Sequence, residues 1–290
     1  MDIITALILG IVQGLAEYLP VSSSGHLEIF RQILGLRLDG AESLEFDIIL
    51  HAATVLSTVV VLWHELRPMI VSFFTFRRDA AFWYVCRILV SCIPILIVGL
   101  CFKDAIEEYL FGRGLSVVGW CLLLTAGLLT FAYFYRTRPL DEAAPGALRP
   151  YTPRDITYRD AFIIGCAQAV AILPGLSRSG TTIATGIILG DKREEVARFS
   201  FLMVIIPILG EALLQLKDIF GSEASAAAAG APEAAIGWAP LLVGFLASFL
   251  VGCAACKWML AIVRKGKLVW FAIYCLIVGL ICIAKNYGLF

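Results

Sequence analysis

The feature that most constrains this chain is a series of apolar runs, several of them about as long as the roughly 20 residues that an α-helix needs to cross a bilayer. Of the 290 residues, 60% are hydrophobic and 16% are charged, and the mean hydropathy is +0.88. A soluble α/β protein would instead show short strand runs between amphipathic helices, with far more polar surface. The sequence therefore predicts an all-α, polytopic integral membrane protein. The net charge of zero gives no indication of nucleic-acid binding.

Two polar breaks interrupt this pattern, one at Pro20–Gly25 and the other at Pro174–Gly180. Proline and glycine end a helix, and irregular backbone at membrane depth must be surrounded by protein or face a watery cavity. We therefore predict that each break is the tip of a re-entrant helix-loop-helix hairpin, and that six other segments span the membrane. The hairpins are 3–19 with 22–36 and 157–173 with 178–190, and the spans are 46–64, 81–101, 115–136, 197–216, 239–262 and 268–286.

The two hairpins belong to an internal repeat. Gln13 and Gln168 lie in similar short stretches 155 residues apart, and the Ser-Gly pairs at 24–25 and 179–180 have the same separation. Each half contains one hairpin and three spans, and an odd number of spans brings the second half in from the opposite side. The sequence thus predicts an inverted repeat, which places broken helices together near the midplane. The repeat forms a single membrane domain (1–290) with halves 1–136 and 157–290 and a cytoplasmic linker, 137–156.

Lysine and arginine in short loops predict the orientation, because cytoplasmic loops carry an excess of them. Most of these residues fall on one side of the predicted topology, which is therefore cytoplasmic, and both termini then lie outside. The cytoplasmic set is Arg67, Arg77, Arg78, Arg136, Arg138, Arg149, Arg154, Lys192, Arg193, Arg264, Lys265 and Lys267, and the outer set is Arg37, Lys103, Arg113, Lys217 and Lys285.

Ionisable side chains in membrane segments are costly and indicate function. Around the first break, Glu17 is followed by a serine cluster and by His26. Carboxylate, hydroxyl and imidazole groups this close together suit nucleophilic or general acid–base chemistry. The alternative is that the serines only cap the next helix. Four-residue spacing also pairs Gln13 with Glu17 and Asp47 with His51, so the candidate residues here are Gln13, Glu17, Ser22, Ser23, Ser24, Gly25, His26, Asp47 and His51, with Glu28 and Glu211 as further ionisable groups.

The second break predicts an anion site. The helix after it points its free N–H groups at the break, where an anion is favoured. Arg178 adds a planar guanidinium that can bind two phosphate oxygens at once, although it could also simply pair with a carboxylate such as Glu17. The hydroxyl and glycine residues that would complete the site are Ser177, Ser179, Gly180, Thr181 and Thr182.

Three motifs in these regions resemble the signatures of the bacterial undecaprenyl-diphosphate phosphatase family. They are Gln13-Gly-Leu-Ala-Glu17, Leu19-Pro-Val-Ser-Ser-Ser-Gly-His26 and Pro174-Gly-Leu-Ser-Arg-Ser-Gly-Thr-Thr182. The resemblance extends over essentially the whole chain, including Phe46-Asp47 and His51.

The resemblance implies hydrolysis of a C55 isoprenyl diphosphate lipid to its monophosphate and inorganic phosphate in the bacterial plasma membrane. It also implies a divalent cation, Mg²⁺ or Ca²⁺, and an active site open to the outer (periplasmic) face. Glu17, Ser23, His26 and Arg178 are the implied catalytic residues, with Glu17 a candidate metal ligand. Gln13 stands where many family members have glutamate, so one carboxylate fewer is available for a metal.

Several alternatives remain open from the sequence. Ser23, His26 or a water could attack the phosphorus. A lipid-phosphate transporter or flippase would also use an inverted repeat with broken helices, and a channel is a weaker third interpretation. A homodimer is an open alternative to a monomer.

Overall fold

The computed structural model of the chain describes residues 1–36, 40–101, 115–136, 154–210, 213 and 236–288, with side chains at all of these except 40–42 and 44. Within these ranges the regular elements are α-helices, and the one β-type pairing is an isolated bridge between Arg154 and Asp191. The helices are α1 (Ile3–Ala16), α2 (Ser23–Ile33), α3 (Gly40–Val61), α4 (Trp63–Phe74), α5 (Ala80–Cys101), α6 (Leu115–Arg136), α7 (Tyr158–Val170), α8 (Arg178–Leu189), α9 (Arg193–Met203), α10 (Trp238–Arg264) and α11 (Val269–Asn286).

Four of these helices, α5, α6, α10 and α11, are long and apolar enough to cross a membrane, and a fifth span is possible if α3 and α4 are taken together. The chain is therefore an all-α, multi-pass membrane protein. These four helices agree with the predicted segments 81–101, 115–136, 239–262 and 268–286.

The predicted span 46–64 corresponds largely to α3, which ends at Val61. The helix bends by 87° at Leu62 and continues as α4. The polar residues after Leu62 suggest a loop in the sequence, yet Leu66 and Met69 pack against the main core and keep this segment helical. Leu62 itself has φ −101° and ψ 20°, outside the α-helical range.

Two other predictions lie partly outside the described residues. Of the predicted span 197–216, α9 and a further helical stretch at 205–210 are described, separated by a turn at Val204. Glu211 and nearly all of the linker 137–156 fall outside the described ranges.

Helix packing is reciprocal between the two halves. Helix α1 of the first half packs on α10 of the second, and α7 of the second half packs on α5 of the first. Both contacts rely on glycine: a Cβ added at Gly10 would lie 2.5 Å from the carbonyl oxygen of Gly244, and one at Gly165 would lie 2.2 Å from that of Ser91. Close backbone approach through small residues is how membrane helices gain packing. The last helices of the halves, α6 and α11, pack on each other, and both breaks lie beside this pair.

Candidate active site

The first break begins where α1 ends and carries a strained serine. Ser22 has φ 72° and ψ 104°, a conformation uncommon for a residue with a Cβ. Its hydroxyl accepts a hydrogen bond from the N–H of Gly25 at 3.3 Å and so caps α2. The turn places Ser23 at the first position of α2, facing back toward the end of α1.

The second break ends in a similar cap. Gly175 has φ 92°, and a Cβ there would lie 2.7 Å from the Val118 backbone, so this position requires glycine. The hydroxyl of Ser177 accepts from the N–H of Gly180 at 3.0 Å and caps α8. The N–H of Ser177 donates to the hydroxyl of Thr125 on α6, which fixes the break against that helix.

The two breaks contact each other directly. The Ser179 hydroxyl donates to the carbonyl oxygen of Leu19 at 3.1 Å. A Cβ added at Gly25 would lie 3.0 Å from the Cα of Gly175, and one at Gly180 would lie 3.2 Å from the Cβ of Pro20. The two breaks, far apart in sequence, therefore form one structural unit.

Glu17 is the centre of the polar contacts at the first break. Its Oε2 accepts hydrogen bonds from the Ser23 hydroxyl at 2.8 Å and from the Gln13 amide at 3.0 Å. The Nε2 atom of His51 lies 3.8 Å from the same oxygen. The Glu17 side chain is 9% exposed, so the carboxylate faces the protein interior. A serine hydroxyl bonded to a buried carboxylate is an arrangement of nucleophile and base.

Glu17 and Arg178 line a common cavity of about 20 Å³, enough for roughly one water molecule. The opposite charges lie close enough to attract each other. Among the described residues no hydrogen-bond acceptor for the Arg178 guanidinium is present. The other lining residues are Tyr18, Thr54, Val55, Thr58, Ser179, Thr182, Ser200, Phe201, Val204 and Ile208.

His26 is held from both sides. Its Nδ1 lies 2.8 Å from the carbonyl oxygen of Ser22, and its Nε2 lies 2.7 Å from the hydroxyl of Tyr274. The residue is 5% exposed. His26 thus lies next to the Ser22 turn, with both ring nitrogens already hydrogen-bonded.

The matching family model covers residues 6–281, and its description is bacitracin resistance protein BacA. The chain belongs to this family. Both breaks lie inside the matched region, together with all but the outer ends of the helices α1 and α11.

Proteins similar to this chain over nearly their full length carry a consistent name. A protein of Parabacteroides distasonis named undecaprenyl-diphosphatase is 53% identical over 96% of this chain and 96% of its own length. Proteins with the same name from Christiangramia forsetii and Halothermothrix orenii are 43% and 36% identical. These matches cover 99% and 98% of this chain, and 100% and 98% of the relatives. The similarity therefore extends over whole proteins.

The remaining candidates of the sequence analysis take different positions. Asp47 forms an ion pair with Arg31, which ties α3 to α2, whereas the described partners of Glu17 are Gln13, Ser23 and His51. Ser24 is exposed. Thr182 lines the cavity, and its hydroxyl bonds to backbone carbonyls of its own helix. Thr181 is buried with a hydroxyl that has no hydrogen-bond partner within the described part of the chain.

Sequence reasoning missed three polar residues at this site. Tyr274 bonds to His26, and Tyr18 bonds through its hydroxyl to Thr54 and Thr58 on α3. Ser200 lines the cavity with a buried hydroxyl that has no partner among the described residues. All three lie in apolar runs, where the one available signal is that a buried hydroxyl needs a partner.

The residues present fit a divalent cation that binds together with a diphosphate. In the described ranges no three His, Cys, Asp or Glu side chains gather as a metal cage. Glu17 is the carboxylate of the cavity lining, and the neighbouring Gln13 has a buried amide oxygen without a partner. Mg²⁺ is commonly held by one or two carboxylates plus substrate phosphates, with oxygen ligands throughout. This donor set satisfies that pattern and does not form an all-protein site.

Proposed function

We propose that this chain hydrolyses undecaprenyl diphosphate to undecaprenyl phosphate and inorganic phosphate, which recycles the cell-wall carrier lipid. The observation that carries the proposal is the 2.8 Å hydrogen bond from Ser23 to Glu17 beside a cavity that Arg178 also lines. This arrangement places a serine hydroxyl that a carboxylate can activate next to an arginine that can bind phosphate. Undecaprenyl-diphosphatase is the name of a relative that is 53% identical over 96% of this chain, and it agrees with this chemistry.

Arg178 and the N-terminus of α8 hold the diphosphate and neutralise the charge that spreads over the transferring phosphoryl group. Ser23 attacks the terminal phosphorus while Glu17 takes its proton. The bond from that phosphorus to the bridging oxygen breaks, and undecaprenyl phosphate leaves. Water then hydrolyses the phosphoserine and releases inorganic phosphate. A water oriented by Ser23 and Glu17 would give the same products in a single step.

A divalent cation, Mg²⁺ or Ca²⁺, is part of the proposal. Glu17 and the amide oxygen of Gln13 would hold it, and the diphosphate would complete its coordination. When bound, the cation supplies positive charge to the phosphate oxygens.

The membrane arrangement we propose has six spans and two re-entrant hairpins in an inverted repeat, within one domain, 1–290. The reciprocal packing of α1 on α10 and of α7 on α5 supports two related halves, 1–136 and 157–290. The distribution of lysine and arginine supports a cytoplasmic linker at 137–156, both termini outside, and a site open to the periplasmic face of the inner membrane. Assembly as a homodimer is the alternative to a monomer.

Cysteine labelling tests this topology. In a variant with all nine native cysteines replaced, a cysteine at position 145 should resist a membrane-impermeant reagent applied from outside. A cysteine introduced near the C-terminus should react. The reverse pattern would contradict the orientation and leave the proposed chemistry unaffected.

Phosphate release by purified protein tests the function. C55 and farnesyl diphosphates should both yield inorganic phosphate, and a chelator should abolish the release until Mg²⁺ or Ca²⁺ is restored. A transporter or flippase is the second candidate, because broken helices in inverted repeats are typical of transport sites. Movement of lipid between vesicle leaflets without phosphate release would favour that candidate and contradict the phosphatase.

A further inference from the structure

Tyr274 on α11 is the partner of His26 that is most distant in sequence. Its hydroxyl lies 2.7 Å from the Nε2 atom of His26. The two rings also stack, with centroids 5.5 Å apart and planes inclined by 18°. The imidazole is therefore held at its Nε2 edge by this side chain, with the two ring planes nearly parallel. Another contact joins α11 to the same break, since the thiol of Cys275 lies 3.5 Å from the carbonyl oxygen of Pro20.

The other nitrogen of His26 determines the direction of this hydrogen bond. Nδ1 lies 2.8 Å from the carbonyl oxygen of Ser22, and a carbonyl can only accept. Nδ1 therefore carries a hydrogen. In the neutral ring Nε2 is then an acceptor, so the Tyr274 hydroxyl donates to it. Tyr274 and Ser22 together select one tautomer of His26.

Neither ring nitrogen of His26 is free to attack a phosphorus atom. Nδ1 is occupied by Ser22 and Nε2 by Tyr274, and the residue is 5% exposed. What His26 does contact is the turn before Ser23, because the Ser22 carbonyl accepts from both the backbone N–H of His26 at 3.1 Å and its ring. Ser22 has φ 72°, so this turn needs support from its surroundings.

We infer that Tyr274 is a positioning residue that fixes the tautomer and orientation of His26, and that His26 in turn holds the Ser22 turn so that Ser23 faces Glu17. The chain of contacts runs from α11 to the reacting hydroxyl without a gap. In this role His26 is not the nucleophile. The kinetic part of the inference rests on the proposed phosphatase function.

The first test removes one hydroxyl. Tyr274→Phe keeps the ring and its stacking but removes the hydrogen bond, and it should lower kcat for C55 diphosphate roughly fivefold, the size expected for one ordinary hydrogen bond. KM should change little, because no substrate contact is removed. Tyr287→Phe is the matched control, since it removes a hydroxyl from a residue at the end of the same helix that is 68% exposed. It should leave both constants unchanged.

A double-mutant cycle separates action through His26 from general loss of structure. Asparagine at position 26 can still donate to the Ser22 carbonyl but has no atom in the place of Nε2. In the His26→Asn background, Tyr274→Phe should therefore have no further effect on kcat. The same fivefold loss in both backgrounds would overturn the inference, because Tyr274 would then act on something other than His26.

Nitrogen NMR of histidine-labelled protein gives a readout that needs no activity. The His26 signals, assigned with the His26→Asn variant, should show a protonated Nδ1 and an Nε2 that accepts a hydrogen bond. The Nε2 signal should move toward the value of a free acceptor in Tyr274→Phe and stay unchanged in Tyr287→Phe. An unmoved signal, or a moved signal with an unchanged kcat, would overturn the positioning role. If the wild-type protein released no phosphate but the NMR shift appeared, the phosphatase proposal would fail while the Tyr274–His26 contact stood.

Discussion

The two breaks are built on the same backbone plan. In each, a serine caps the following helix by accepting from a glycine N–H three residues later, and a second serine hydroxyl lies 3.4 Å from the first. Both helix starts therefore present free N–H groups to the space between the breaks, where an anion is favoured. The equivalent residues are Ser22 and Ser177, Ser24 and Ser179, and Gly25 and Gly180.

The side chains on this plan are not equivalent. The first residue of the following helix is Ser23 in one break and Arg178 in the other. Glu17, directly after the end of α1, has Ile172 as its counterpart 155 residues later. One break thus carries hydroxyl and carboxylate, and the other carries the cation. A repeated backbone can supply two anion-binding helix starts, while the division of chemistry between them depends on single substitutions.

Ser23→Ala should show the largest effect if the first break supplies the nucleophile. We expect a loss of about 10³-fold in kcat, within the range for removal of a group engaged in general acid–base chemistry. Ser24→Ala is the matched control, because Ser24 is exposed and adjacent, and it should stay within a few-fold of wild type in phosphate release. Near-normal turnover of Ser23→Ala would show that Ser23 is not the nucleophile and that water takes this role.

Arg178→Lys tests the second break. The variant keeps the charge but loses the planar pair of donors, so we expect kcat/KM to fall roughly 10²-fold, similar to the loss of one oxyanion donor elsewhere. Arg159→Lys, at an exposed position on α7, controls for the substitution itself. Full activity of Arg178→Lys would show that charge alone suffices and that the geometry of the guanidinium is irrelevant.

Asp47→Asn should have a smaller effect than either. Asp47 pairs with Arg31 and not with Glu17 among the described side chains, so we expect the rate to change by less than about threefold, as for a partly exposed ion pair. Phosphate release by Asp47→Asn, measured together with Asp47→Ala, checks this. A loss as large as that of Ser23→Ala would place Asp47 among the reacting groups, as its sequence position suggested.

The sequence was sufficient to predict the features that depend on local chemistry. Proline and glycine located the breaks, and long apolar runs located α5, α6, α10 and α11. It failed where packing decides. Helix α4 continues through His64 and Pro68 because Leu66 and Met69 reach the core, and Tyr274 carries no polar neighbour in sequence that would mark it as a partner of His26. The tertiary arrangement also decides which of two acidic residues, Glu17 or Asp47, accepts the hydrogen bond from the Ser23 hydroxyl.

The smallest expected effect concerns the stability of the two caps. Ser22 holds φ 72° whereas Ser177 holds φ −67°. Replacing either serine by glycine sacrifices a few tenths of a kcal/mol of capping and adds roughly 0.5–1 kcal/mol of chain entropy to the unfolded state. At position 22 alone, glycine also relieves a strain of about 1–3 kcal/mol.

Ser22→Gly should therefore leave the apparent melting temperature unchanged or raise it, while Ser177→Gly should lower it by the equivalent of about 1 kcal/mol. Ser24→Gly, in the exposed first turn of α2, measures the general cost of glycine in the same detergent. Equal decreases for Ser22→Gly and Ser177→Gly would mean that the first break is no more strained than the second. The backbone equivalence of the breaks would then be complete, and their difference would lie in the side chains alone.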